Sequence, residues 1–227
     1  QMKIDTELIA CRIGQLCEIG VVVTEGGGTD GTWVDIRPLD LEKGRGYRVR
    51  IKIGWKKIEA QLVTDNFAAA LVKAVKQAAE DKQRTFLKIL DSYITRGDKV
   101  TFYLDEVPSE PATIFTGREW KTFAFRILKL PVAIDPDSPD SIHDSIVSIG
   151  ASAMSLILSL LPLEPITGNE YVEGLPEGAK VRVEVNRYER SSLNRMTCLN
   201  VRGFSCHVCG FVFSEHYGSV GDDFIHV

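Results

Sequence analysis

The chain has 227 residues, 44% of them hydrophobic and 26% charged. That suffices for one large or two small cores and is the composition of a globular protein, not a disordered or fibrous one. A formal net charge of −4 excludes a globally basic nucleic-acid binder, so any DNA-binding surface has to be a local patch.

Lys3, Asp5 and Glu7 interrupt the first apolar residues, a pattern that does not read as a secretory signal. Gln1 ahead of Met2 reads as a tag remnant. Five cysteines, an odd number, fit a reducing compartment better than a disulfide framework. Cys11 and Cys17 lie in or beside apolar runs and read as small buried hydrophobes.

Residues from about Ile4 to Leu62 read as strands. Within them Ile19 to Val23 is a β-branched run, ended by the expected flexible loop Gly26-Gly27-Gly28. No Gly-Lys-Ser/Thr follows these glycines, so they are not a phosphate-binding P-loop. From Tyr47 to Ile53 the alternation is clear, with Tyr47, Val49, Ile51 and Ile53 on one face and Arg48, Arg50 and Lys52 on the other. Gly54 to Lys57 reads as a turn into a second run, Ile58 to Val63.

Between Glu42 and Glu59 stand Lys43, Arg45, Arg48, Arg50, Lys52, Lys56 and Lys57, with no acid among them. Such a strand surface fits a phosphate backbone, with Arg45, Arg48, Arg50, Lys52, Lys56 and Lys57 as candidate contacts and Trp33 or Trp55 as stacking residues. It equally fits an ordinary solvated sheet face beside core tryptophans.

Asn66 to about Ile94 reads as helix, with Phe67, Leu71, Val75 and Ala79, then Phe86, Ile89, Leu90 and Tyr93, as a core stripe. Gly97 is its stop signal. Glu80 to Arg84 reads either as a turn or as an exposed helical face. Strands return at Lys99 to Leu104 and Trp120 to Leu130.

Asp135 to Asp140 is a Pro-Asp-rich break, after which Ser141 with Asp144 has the form of a capping box. Ser145 to Leu163 carries no charge, long enough to raise the question of a membrane span. Five serines and the lack of a basic flank favour a buried packing helix. Beyond Pro162, Pro165 and a second Gly/Pro/Glu-rich break, Val181 to Val185 alternates as a strand. A helix carrying Cys198 follows.

Cys206-His207-Val208-Cys209-Gly210 has the C-x-x-C-G form of a zinc knuckle. Two thiolates at this spacing can hold one metal, and the glycine lets the backbone turn beneath them. A redox pair is the rival reading, without a βαβ pattern around it.

The residues leading into and out of this knuckle carry a resemblance. Glu173 to Gly178, Asn186 to Arg190, Asn194-Arg195 and Cys198 come first. Cys206, Cys209-Gly210-Phe211, Phe213, Tyr217-Gly218, Gly221 and Phe224 to Val227 follow in order. Together this stretch resembles HNH endonucleases, and among them the modification-dependent bacterial restriction enzymes. The resemblance covers roughly the last 55 residues, and residues before about 165 resemble no family we can name.

It implies a ββα-metal fold with structural zinc, of which Cys206 and Cys209 would be half the ligand set. It also implies a catalytic divalent metal, usually magnesium, that stabilises the leaving 3′ oxygen. In the family a histidine pair follows the strand matching Phe224 to Val227. This chain ends at Val227, so no catalytic residue is carried over, His226 included. The chain alone is expected neither to cleave DNA nor to hold zinc tightly.

The expected class is therefore α+β, with an N-terminal recognition domain over 1–134, a linker and packing helix over 135–179, and the start of an HNH domain over 180–227. The expected function is part of a cytoplasmic DNA endonuclease of restriction or defence type, bacterial or archaeal. Its partner would be double-stranded DNA, modified or not, with no membrane, and a homodimer would suit two nicks. Trp33, Tyr47, Trp55 and Trp120 are the available walls for a flipped base. The alternative is an N-terminal ligand or protein sensor that switches an attached nuclease.

Overall fold

The computed structural model describes residues 4–28, 31–41, 44–54, 56–116, 119–132, 139–161, 198–199, 202–221 and 224–225. Described elements are mixed α and β, built on one seven-stranded antiparallel sheet. Its strands are β1 (Val21–Gly28), β2 (Gly31–Pro38), β3 (Tyr47–Gly54), β4 (Lys57–Thr64), β5 (Lys99–Leu104), β6 (Val107–Ser109) and β7 (Phe123–Lys129). They lie in the order β1-β2-β3-β4-β7-β5-β6.

Period-two alternation decides which side of the sheet is buried. Val34 and Ile36, Val49 and Ile51, Ile58, Ala60 and Leu62, and Phe123, Phe125 and Ile127 all belong to the buried core. Helices α1 (Thr6–Cys17), α3 (Glu80–Thr95) and α4 (Pro139–Leu158) pack against the sheet and one another. The uncharged stretch is thus a core helix: 72% of its most apolar window is buried, although α4 is long and apolar enough to cross a membrane. Gly150 sets its approach, since a Cβ there would lie 2.7 Å from Ile36 Cδ1, 3.0 Å from Ile13 Cδ1 and 3.2 Å from Ile51 Cδ1.

Five sequence expectations change, one of them Cys11, which is exposed and not a buried hydrophobe. Thr6–Cys17 is helix, not strand. Asp5 caps it by accepting the Leu8 N–H at 3.0 Å, and Ile9, Ile13, Leu16 and Cys17 form its buried stripe. The three glycines are not a free loop; they end β1, with Gly26 paired to Trp33 and Gly28 to Gly31.

The Asn66–Ile94 helix is two helices, α2 (Ala69–Lys76) and α3, separated where Ala79 turns extended. Phe67 precedes α2 and is 75% exposed, and Ala79 is exposed ahead of α3, so both leave the core stripe. Finally, α4 begins at Pro139, which places Ser141 inside the helix, not at a cap. Asp144 pairs with Arg12 of α1 at 2.7 Å instead.

The lead-in to the HNH resemblance from Glu173 to Arg195, and the expected strand Val181 to Val185, lie outside the described residues, as do His226 and Val227. Phe224 and Ile225 belong to no strand.

Candidate nucleic-acid interface and metal centre

On the side of the sheet opposite the core, alternation leaves a polar face. Trp33, Asp35 and Arg37 of β2, Arg48, Arg50 and Lys52 of β3, and Glu59 and Gln61 of β4 point there. None belongs to the buried core. Cross-strand pairing aligns the face into rows. One row runs Asp35, Arg50, Gln61, Arg126, Thr101 over five strands, and the next runs Trp33, Lys52, Glu59, Leu128, Lys99.

Over β2 and β3 the arginines are taken up by acids. Arg50 makes a two-pronged pair with Asp35, Nε to Oδ1 and Nη2 to Oδ2 both at 2.7 Å. Arg37 does the same with Asp65, at 2.8 and 2.7 Å. Between them Arg48 reaches both acids, Nε at 3.2 Å from Asp35 and Nη1 at 3.4 Å from Asp65. The result is a ladder of alternating charge in which the hydrogen bonds of Arg37 and Arg50 are charge-assisted and partly shielded, while Arg48 Nε makes an ion pair without a hydrogen bond.

Asp65 also accepts the backbone N–H groups of Gly44 and Gly46, both at 3.1 Å, which ties the β2–β3 connection to the end of β4. The Arg37 hydrogen bonds, with these backbone donors, hold its carboxyl below the usual range. The same pairing raises Arg37, and Asp35 raises Arg50.

The expected cations fall in three groups. Arg48 and Arg50 stand in the ladder. Lys52 is exposed and cross-strand from Glu59. Arg45, Lys56 and Lys57 are exposed near the ends of β3 and β4, where the Lys56 carbonyl accepts the Val132 N–H.

Of the expected stacking residues, Tyr47 and Trp120 are corrected: they are 1% and 2% exposed, Tyr47 on the core side of β3 and Trp120 against Phe123. Neither ring meets a base from solvent. Trp33 lies on the polar face, half-buried, with the Arg50 guanidinium 4.1 Å above its ring. It lies so close over Gly26 that a Cβ there would be 2.1 Å from its ring. Trp55 lies outside the described residues.

Sequence reasoning missed the other half of the face. Arg126 of β7 has a 42% exposed side chain and, among the described residues, pairs with Glu59 of β4 at 3.4 Å. Gln61 makes no side-chain hydrogen bond among the described residues, and the Arg126 guanidinium lies 5.7 Å from the ring centre of Tyr103. The period-two alternation of β4 and β7 places these residues outward, but their pairing across the sheet is long-range.

The second candidate centre is the Cys206–Cys209 turn. Ser205 and Val212 form an antiparallel bridge. Inside it the Cys206 N–H donates to Phe211 O at 2.9 Å and the Gly210 N–H to Cys206 O at 2.7 Å. Gly210 has φ +71°, a left-handed conformation that glycine adopts without strain. The backbone N–H groups of Cys209 and then Val208 point at the Cys206 sulfur and hold its thiol below the usual range.

Donor type, turn and N–H···S contacts are compatible with a zinc thiolate pair, in which Cys206 and Cys209 would be two of the ligands. Among the described residues no group of three or more His, Cys, Asp or Glu gathers into a metal site. His216 is engaged elsewhere, with Nδ1 3.1 Å from Val212 O and its ring stacked on Phe211 at 4.2 Å. No protein-family model matches the chain, and no curated protein or solved structure proves similar to it.

Proposed function

We propose that this chain is part of a DNA endonuclease of the restriction or defence type. The sheet domain would recognise the target and the C-terminal segment would belong to a zinc-stapled HNH unit. The observation that carries the reading is the Cys206–Cys209 turn: a C-x-x-C-G sequence in a bridged hairpin, with backbone N–H groups aimed at the first sulfur. Zinc there would be structural, because a short hairpin with an exposed helix (α5, Phe213–Tyr217) has little core of its own. Magnesium or another divalent metal would serve the phosphodiester chemistry through residues not assigned here.

The reading is tested on the protein as its gene encodes it. It should contain zinc, cleave duplex DNA in a magnesium-dependent manner, and lose both on Cys206→Ser with Cys209→Ser. A full gene product that carries no zinc and leaves every duplex intact would overturn it. For the sheet domain, duplex affinity should fall by on the order of tenfold or more from about 50 to about 200 mM salt. Arg48, Arg50 and Lys52 to Glu should abolish it.

The alternative, a ligand or protein sensor switching an attached nuclease, gains from one observation: Asp35 and Asp65 already occupy Arg37, Arg48 and Arg50. No DNA affinity at low salt would favour it.

A further inference from the structure

The polar face divides sharply in how its hydrogen-bonding capacity is used. On β2 and β3 the guanidiniums are spent on two aspartates. On β4, β7 and β5 the same row continues as Gln61, Arg126 and Thr101, where the acid contact of Arg126 is a looser one, to Glu59 at 3.4 Å, with 42% of its side chain exposed. Two residues along β5 from Thr101, on the same face, stands Tyr103. Its cross-strand partner is Ala124, a side chain too short to cover the tyrosine ring. Tyr103 is half-buried, and Arg126 reaches over the ring from the neighbouring strand.

From this we infer that the β4–β7–β5 part of the face binds unpaired nucleotides, in single-stranded nucleic acid or in a locally opened duplex. Tyr103 supplies the stacking surface, Gln61 a paired donor and acceptor for a base edge, and Arg126 the charge for the adjoining phosphate. The chemistry favours an unpaired base over an intact duplex. In a duplex the base faces are stacked on one another, so a side chain standing on a broad sheet cannot stack on them. A splayed base lies flat on such a ring and exposes its edge to neighbouring amides. Gln61 matches that edge because its amide both donates and accepts. The ladder half, in contrast, must release an aspartate for every phosphate it takes. This inference rests on the proposed role of the sheet domain in DNA recognition and makes it specific.

The test is fluorescence anisotropy of the chain with one labelled oligonucleotide, offered as a single strand and as a duplex, at low salt. The single strand should bind about tenfold tighter or more, and Tyr103→Ala, Gln61→Ala and Arg126→Ala should each weaken it by about tenfold. Tyr103→Phe, which keeps the ring, should retain binding, and thermal midpoints near wild type confirm that the variants fold. If duplex binding is tighter, and is abolished by the Arg48, Arg50 and Lys52 charge reversals but untouched by these three alanine variants, the inference falls while DNA recognition stands. If neither form binds at low salt, both fall together.

Discussion

Two halves of one sheet face, made by the same alternation, use their charges in opposite ways. Over β2 and β3 three arginines and two aspartates close on one another, and Asp65 adds the backbone of Gly44 and Gly46. Over β4, β7 and β5, Arg126 keeps only a longer contact, to Glu59 at 3.4 Å, and Gln61 makes no side-chain hydrogen bond among the described residues, beside half-buried Tyr103. A run of cations in sequence therefore does not mark the available charge. What marks it is how tightly a neighbouring acid holds each cation: two-pronged at 2.7–2.8 Å for Arg37 and Arg50, against a 3.4 Å contact with Glu59 for Arg126.

The contrast has consequences for stability that can be ranked. Asp65→Ala should cost the most, about 2–4 kcal/mol in chemical denaturation, because it strands Arg37 and leaves two backbone donors of a tight connection unpaired. Its pH dependence has a definite sign. The folded carboxyl lies below its usual range, so its stabilisation is complete above the unfolded value near pH ~3.9 and fades as pH falls towards the folded one. Wild type should therefore lose its advantage over Asp65→Asn only below about pH 4, and a gap that closed near neutrality would contradict the assigned pairing.

Gly26→Ala comes next, at about 1–3 kcal/mol. The added methyl would meet the Trp33 ring at 2.1 Å and push it off the strand, taking the Arg50 stack with it. A changed tryptophan signal in the folded state should accompany the loss. Gln61→Ala should cost least, within about 0.5 kcal/mol, as for a solvent-facing residue without structural partners. A large loss at Gln61, or none at Asp65, would erase the distinction between the halves.

Much of the sheet could be read from the chain because alternation is local. The Tyr47 to Ile53 pattern gives β3 with both faces correct, and the uncharged stretch gives α4 as a core helix. Helix α1 was missed although Asp5 and the spacing of Ile9, Ile13, Leu16 and Cys17 carry its signal. The β-branched residues nearby resemble strand, and only the period separates the two. The break between α2 and α3 has no glycine or proline to announce it, just an extended Ala79.

The site was harder for a different reason. The Arg50–Asp35 and Arg37–Asp65 pairs join residues 15 and 28 positions apart, so whether a cation is spent depends on strand register. Trp120 could not be told from an exposed aromatic until the sheet was assembled, whereas the alternation of β3 already set Tyr47 on the apolar face with Val49 and Ile51. The tight turn over Cys206, Cys209 and Gly210, by contrast, was legible because its geometry lies within a few consecutive residues.

The central claim is that nucleic acid meets this protein on the polar face of the sheet, at its less tightly paired half. Amide shift mapping of the isotope-labelled chain during titration with a single-stranded oligonucleotide tests it most directly. Perturbations concentrated at Gln61, Thr101, Tyr103 and Arg126 are the predicted result. Perturbations confined to the helical side of the sheet, or none at all at low salt, would contradict it.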